Sequence, residues 1–130
     1  MADSEIVSVR YLVGDVAACV DFYQRHFAFT VKMANLAFAD VRRGNLRLLL
    51  SGPESSAAIP MADGERPQPG GWNRIHFIVD DLEREITRLA NEGCSFRNEV
   101  VAGPGGAQVL VVDPSGNFVE LFQPAAKSRA

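Results

Sequence analysis

Polar and apolar residues alternate along Val7-Ser8-Val9-Arg10-Tyr11-Leu12-Val13, setting Val7, Val9, Tyr11 and Val13 on one face and Ser8, Arg10 and Leu12 on the other. A period of two is the signature of a half-buried strand. Gly14-Asp15 breaks the alternation, and Asp15 is placed to cap a helix whose first N–H groups need an acceptor. Val16, Cys19, Val20, Tyr23 and Phe27 follow at helical spacing, the apolar stripe of an amphipathic helix. Three strand-like runs come next: Thr30 to Met33, Leu36 to Arg42 and Leu46 to Leu50. The turn Arg43-Gly44-Asn45 separates the last two.

The same program restarts at Trp72. Ile75, Phe77 and Val79 alternate, leaving Arg74, His76 and Ile78 on the opposite face. Asp80-Asp81 then caps a second helix with the stripe Leu82, Ile86, Leu89 and Ala90, and Gly93 supplies its stop. Tyr11 and Phe77, Asp15 and Asp81, Val16 and Leu82, and Val20 and Ile86 all pair at one constant spacing, so the chain is a duplicated module. Strand-like runs Ser95 to Val101, Gln108 to Val112 and Phe118 to Phe122 complete the second copy, the last two joined by Pro114-Ser115-Gly116-Asn117. The pattern predicts one α+β domain over residues 1–130: a module at about 5–51, a Pro/Gly/Ser-rich linker or flap at about 52–71, and a second module at about 72–124.

Composition narrows the reading without changing it. The chain carries 47% apolar and 22% charged residues, the mix of an ordinary globular protein, and no apolar run is long enough for a membrane span. A net charge of −3 with interspersed Lys and Arg argues against nucleic acid as a partner. The acidic start, Met1 to Glu5, has no secretory signal character, which predicts a cytosolic protein. Cys19 and Cys94 are expected to be free thiols. Gly103-Pro104-Gly105-Gly106 reads as a hairpin turn, since it lacks the Lys-Ser/Thr ending of a phosphate loop.

Val13-Gly14-Asp15-Val16 with Asp21-Phe22-Tyr23, Val79-Asp80-Asp81-Leu82, and above all Asp113-Pro114-Ser115-Gly116-Asn117-Phe118-Val119-Glu120-Leu121 resemble the vicinal oxygen chelate superfamily. Its members include glyoxalase I, extradiol dioxygenases, fosfomycin-inactivating enzymes and bleomycin-binding proteins. The resemblance implies two βαβββ modules whose curled sheets form a cup, often completed in a homodimer. In metal-dependent members it also implies four His, Gln or Glu ligands, one each on the first and last strands of both modules. The corresponding positions here are Ser8, Arg47, Arg74 and Glu120, with Leu48 in place of Arg47 if the register shifts by one. Arginine stays protonated and offers no lone pair, so this set is not expected to hold a divalent ion, and no cofactor is expected.

Two uses remain open for the charged positions. Glu120 forms an ion pair with Arg47 or Arg74 that replaces the metal, or Arg10, Arg47 and Arg74 face an anionic or carbonyl-bearing ligand. Phe118 and Phe122 flank Glu120 on its strand face, and with Trp72 and Phe38 they suit either a small-molecule pocket or an apolar interface. His76 is the imidazole on the Arg74 face, whereas His26 is expected to face solvent.

The leading expectation is therefore a metal-independent, homodimeric binder of an aromatic or planar compound such as an antibiotic. Its ligand-facing residues would be Ser8, Arg10, Phe38, Arg47, Trp72, Arg74, His76, Phe118, Glu120 and Phe122. One alternative is a metal-independent isomerase or lyase using His76 or Glu120 as acid or base, with an arginine stabilising an enolate. A second is a divalent-metal lyase or dioxygenase.

Overall fold

A computed structural model describes residues 5–126. These form two compact units, one comprising the chain through Gly71 with the turn Pro114–Asn117, the other Trp72–Asp113 with the chain from Phe118 onward.

In the first unit, β1 (Val7–Leu12) leads into α1 (Val16–Phe27), followed by β2 (Thr30–Ala34), β3 (Phe38–Arg43) and β4 (Leu46–Ser51). The sheet order is β1-β4-β3-β2, with β1 parallel to β4 and the other pairs antiparallel. Asp15 caps α1 by accepting from the Ala18 N–H. The helix buries Val16, Cys19, Phe22, Tyr23 and Phe27, so Phe22 rather than Val20 completes its stripe. Tyr11, Val41, Leu48 and Leu50 are buried with it, and removing this apolar surface from water is what holds the unit together. Val7 shares that strand face but lies exposed at the open end of β1.

The linker adds a single turn of 3-10 helix, Ser56–Ala58, and is held to this unit. Asn117 ties it in: its Oδ1 accepts from the Gly70 N–H at 2.8 Å while its Nδ2 donates to the Leu12 carbonyl at 2.8 Å. The Asp-Pro-Ser-Gly-Asn signature thus places a buried amide that satisfies two backbone groups.

In the second unit, β5 (Arg74–Ile78) leads into α2 (Leu82–Asn91), then β6 (Ser95–Phe96), β7 (Val101–Gly103), β8 (Gly106–Val112) and β9 (Phe118–Pro124). The sheet order is β5-β9-β8-β6, with β7 also pairing to β8 and β5 parallel to β9. Asp81 caps α2 through the Arg84 N–H, and Gly93 takes the positive φ of 87° that ends it. Leu82, Leu89, Ile75, Val109, Val111, Val119 and Leu121 form the core. The first unit is a βαβββ module, the second follows the same plan with its first strand after the helix split into β6 and β7, and the fold is α+β.

Three details depart from the sequence pattern. The run from Ser95 to Val101 is two short strands, because Asn98 Oδ1 accepts the Leu110 N–H at 3.0 Å and takes the place of a ladder partner. β3 starts at Phe38 rather than Leu36, since Asn35 Oδ1 accepts from the N–H groups of Ala37 and Phe38 and makes a side-chain-closed turn. His26 is half-buried and packs edge-on against Phe22 at 5.2 Å instead of standing in solvent. Both cysteines are free, and no described helix is long and apolar enough to cross a membrane.

Candidate functional site

Each sheet has one face on its helix and one face turned away from it, and register determines what the second face carries. In the first unit, β1, β4 and β3 align Ser8 with Arg47 and Arg42, Arg10 with Leu49 and Asp40, and Leu12 with Ser51 and Phe38. The helix-side residues between them, Leu48, Leu50, Ala39 and Val41, are fully buried. The open face is polar. Arg47 Nε donates to Ser8 Oγ at 2.7 Å, and an Arg10 guanidinium nitrogen donates to the buried Ser51 Oγ at 2.8 Å. Arg42 grips both oxygens of Asp40 at 3.0 Å. That grip, with the nearby charges of Arg42, Arg47 and Lys32, holds the Asp40 carboxyl below its ordinary range despite partial burial.

In the second unit, β5, β9 and β8 align Arg74 with Phe118 and Val112, His76 with Glu120 and Leu110, and Ile78 with Phe122 and Gln108. Glu120 is only 7% exposed, although its face is turned away from α2. Arg74 Nε donates to its Oε1 at 2.9 Å, and His76 Nε2 lies 3.4 Å from its Oε2. Arg74 is itself braced by donating to the Trp72 carbonyl at 3.1 Å. Aromatic rings stand on both sides of the carboxylate: Trp72 packs on Phe118 at 5.3 Å, and His76 on Phe122 at 5.2 Å. Arg97 places its guanidinium over the Trp72 ring at 5.6 Å, and Trp72 remains 63% exposed.

The parallel strand pairs are a built-in ruler for the metal positions. Ser8 pairs with Arg47 and Arg10 with Leu49; in the other copy Arg74 pairs with Phe118 and His76 with Glu120. The counterpart of Glu120 is therefore Leu49, and Arg47 is the counterpart of Phe118. The assignment of Arg47 from the likeness of Leu46-Arg47-Leu48 to Val119-Glu120-Leu121 is off by one pleat period, which keeps the face and changes the residue.

Tested as a metal centre, each half is poorly suited. Ser8 and Leu49 provide one hydroxyl, which already accepts from Arg47. In the other half the sole carboxylate has one oxygen occupied by a guanidinium that cannot coordinate. Among the described residues no group of three or more His, Cys, Asp or Glu could hold an ion. This donor set does not fit a divalent metal.

The structure thus gathers Trp72, Arg74, His76, Phe118, Glu120 and Phe122 around one carboxylate, and places Ser8, Arg10, Arg47 and half-buried Phe38 on the open face of the other sheet. Of the two ion pairs open to Glu120, the one with Arg74 forms. Sequence reasoning missed Asp40 and Arg42, which the alternation of Phe38, Asp40 and Arg42 along β3 would have revealed. It also missed Arg97, which reaches Trp72 from beyond the end of β6 and leaves no periodic trace.

The profile of the Glyoxalase/Bleomycin resistance protein/Dioxygenase superfamily matches residues 5–121, and the chain belongs to that superfamily. Among similar solved structures is a lactoylglutathione lyase from Agrobacterium tumefaciens, 24% identical, with a TM-score of 0.69 over 92% of this chain and 93% of that one. An antibiotic binding protein from Streptomyces sp. CB03234, TnmS3, is 23% identical, with a TM-score of 0.70 over 96% and 99% of the two chains. A superfamily member from Sphaerobacter thermophilus is 23% identical, with a TM-score of 0.71 over 95% and 99%. At these identities the likeness is one of fold. No curated protein matches the chain.

Proposed function

We propose that the protein is a metal-independent binder of a small aromatic or planar molecule, such as an antibiotic, held on the open face of β5 and β9. The observation that carries this reading is the environment of Glu120. Its carboxylate is partnered from within the protein by Arg74 and His76, and aromatic pairs lie on either side of it. Flat apolar rings beside a few fixed polar groups are what a small-molecule site needs for affinity and orientation. The fold neighbour described as an antibiotic binding protein is consistent with this use of the scaffold, whereas the lyase neighbour is not explained by it. A homodimer belongs to the same proposal and rests on the family resemblance.

The His76–Glu120 approach of 3.4 Å favours one rival, an isomerase or lyase in which this pair moves a proton. Calorimetric titration of chelator-treated protein with a panel of planar aromatic compounds separates the two. The proposal expects saturable binding with no turnover, lost in Trp72→Ala and Phe122→Ala. Turnover that falls about a hundredfold or more in His76→Gln would establish the rival. An entire panel without binding would overturn the proposal.

A further inference from the structure

The segment between β4 and β5 has the Pro, Gly and Ser content of a flexible tether, yet it is folded back onto the first unit as a strap. Ser55 closes its first turn on the Gly52 carbonyl, the Oγ donating at 2.7 Å and the N–H at 3.1 Å. Further along, the Met61 N–H donates to the Glu65 carbonyl at 2.8 Å, and Asn117 holds the far end through the Gly70 N–H. Between this strap and the end of β1 lies a cavity of about 190 Å³, contained wholly in the first unit. Its apolar walls are Leu12, Val13, Pro53, Ala58, Pro67 and Pro69.

These walls are poor in hydrogen-bond donors. The N–H groups of Val13, Gly14, Gly52 and Ala58, all in the lining, are spent on the Ser51 carbonyl, Ser115 Oγ, the Ala37 carbonyl and the Ser55 carbonyl. Pro53, Pro67 and Pro69 have no N–H to offer. Arg66 and Gln68, the polar side chains of the lining, are both exposed and keep their polar ends in solvent. A water molecule held in a cavity needs about two to four polar partners, and walls without free donors supply acceptors at best. Apolar cavities of this kind stay dry, and one of about 150 Å³ is large enough to take benzene. The cavity under the strap is larger, and its prolines fix the walls in advance, so little freedom is lost on binding.

We propose that this cavity is a separate binding site that takes a benzene-sized hydrocarbon group of a small molecule. It is built by the first unit alone and does not depend on the ligand proposed for the face of β5 and β9.

The test is a titration of the intact chain with benzene, following the side-chain methyl resonances by NMR. Saturable shifts are expected at Leu12, Val13 and Ala58, with the exposed Val101 of β7 unmoved. Ala58→Phe places a ring in the same space and should abolish those shifts. Absent or merely linear shifts at the cavity methyls, shifts of equal size at Val101, or an Ala58→Phe chain that binds as the parent does would overturn the site. Should Ala58→Phe fail to fold, the parent chain still decides, by whether its Leu12, Val13 and Ala58 methyls saturate while Val101 does not move.

Discussion

The two modules have the same core and opposite open faces. Through the strand registers, Val9 corresponds to Ile75, Tyr11 to Phe77, Leu48 to Val119, Leu50 to Leu121 and Val41 to Val111, all apolar. On the other face Ser8 corresponds to Arg74, Arg10 to His76, Arg47 to Phe118, Leu49 to Glu120 and Asp40 to Leu110. Packing against a helix accepts only apolar side chains of suitable volume, so duplication left that side nearly unchanged. The open side has no such constraint, and there the copies diverged into an arginine-rich surface and an aromatic surface around one paired carboxylate. The chemistry of the protein lies where the copies differ.

The contrast can be broken most forcefully at the core. Leu50→Ala and Leu121→Ala should each cost about 2–5 kcal/mol by chemical denaturation, and Leu49→Ala, on the open face, under about 1 kcal/mol. Equal costs would mean the faces are not distinct in energy. Next in size is the ion pair. Glu120→Gln should cost about 1.5–3 kcal/mol, because it removes a nearly buried charge-assisted hydrogen bond, whereas Arg47→Gln should stay within about 0.5 kcal/mol.

A smaller effect separates the units by pH. The Arg42 hydrogen bond and the surrounding cations depress the Asp40 carboxyl, so its contribution is complete above the ordinary carboxylate range and is lost as pH falls through the depressed value. Below about pH 4, Asp40→Asn should lose stability less steeply than the parent chain, and parallel curves would contradict this. The thiols make the finest distinction. Burial, with the charge of Glu92, pushes the Cys94 thiol up, so it should alkylate slowly at neutral pH. Cys19, fully buried, should react only on unfolding.

Much of this fold is visible in the sequence because its elements are periodic. Alternation in β1 and β5, the caps Asp15 and Asp81, and the constant spacing between copies need no tertiary information. The interruption of Ser95 to Val101 does need it, since Asn98 acts as a ladder acceptor only once β8 lies beside it. For the site, alternation correctly separates Arg74, His76, Glu120 and Phe122 from the core, as it does Ser8, Arg10 and Arg47. It does not fix which residue faces which across a parallel pair. That is why Leu49, not Arg47, proved to be the counterpart of Glu120: a slip of two residues along a strand preserves the face and leaves the apolar pattern intact.

The central claim is that Glu120 is completed by Arg74 and His76 rather than by a metal, and a metal titration tests it most directly. Elemental analysis of the purified protein, followed by titration of the chelator-treated chain with Mn, Fe, Ni and Zn salts, can be read through the emission of Trp72, the one tryptophan in the chain. The account predicts no stoichiometric metal and no saturable change in Trp72 emission. One tightly held divalent ion per chain, lost in Glu120→Gln, would contradict it.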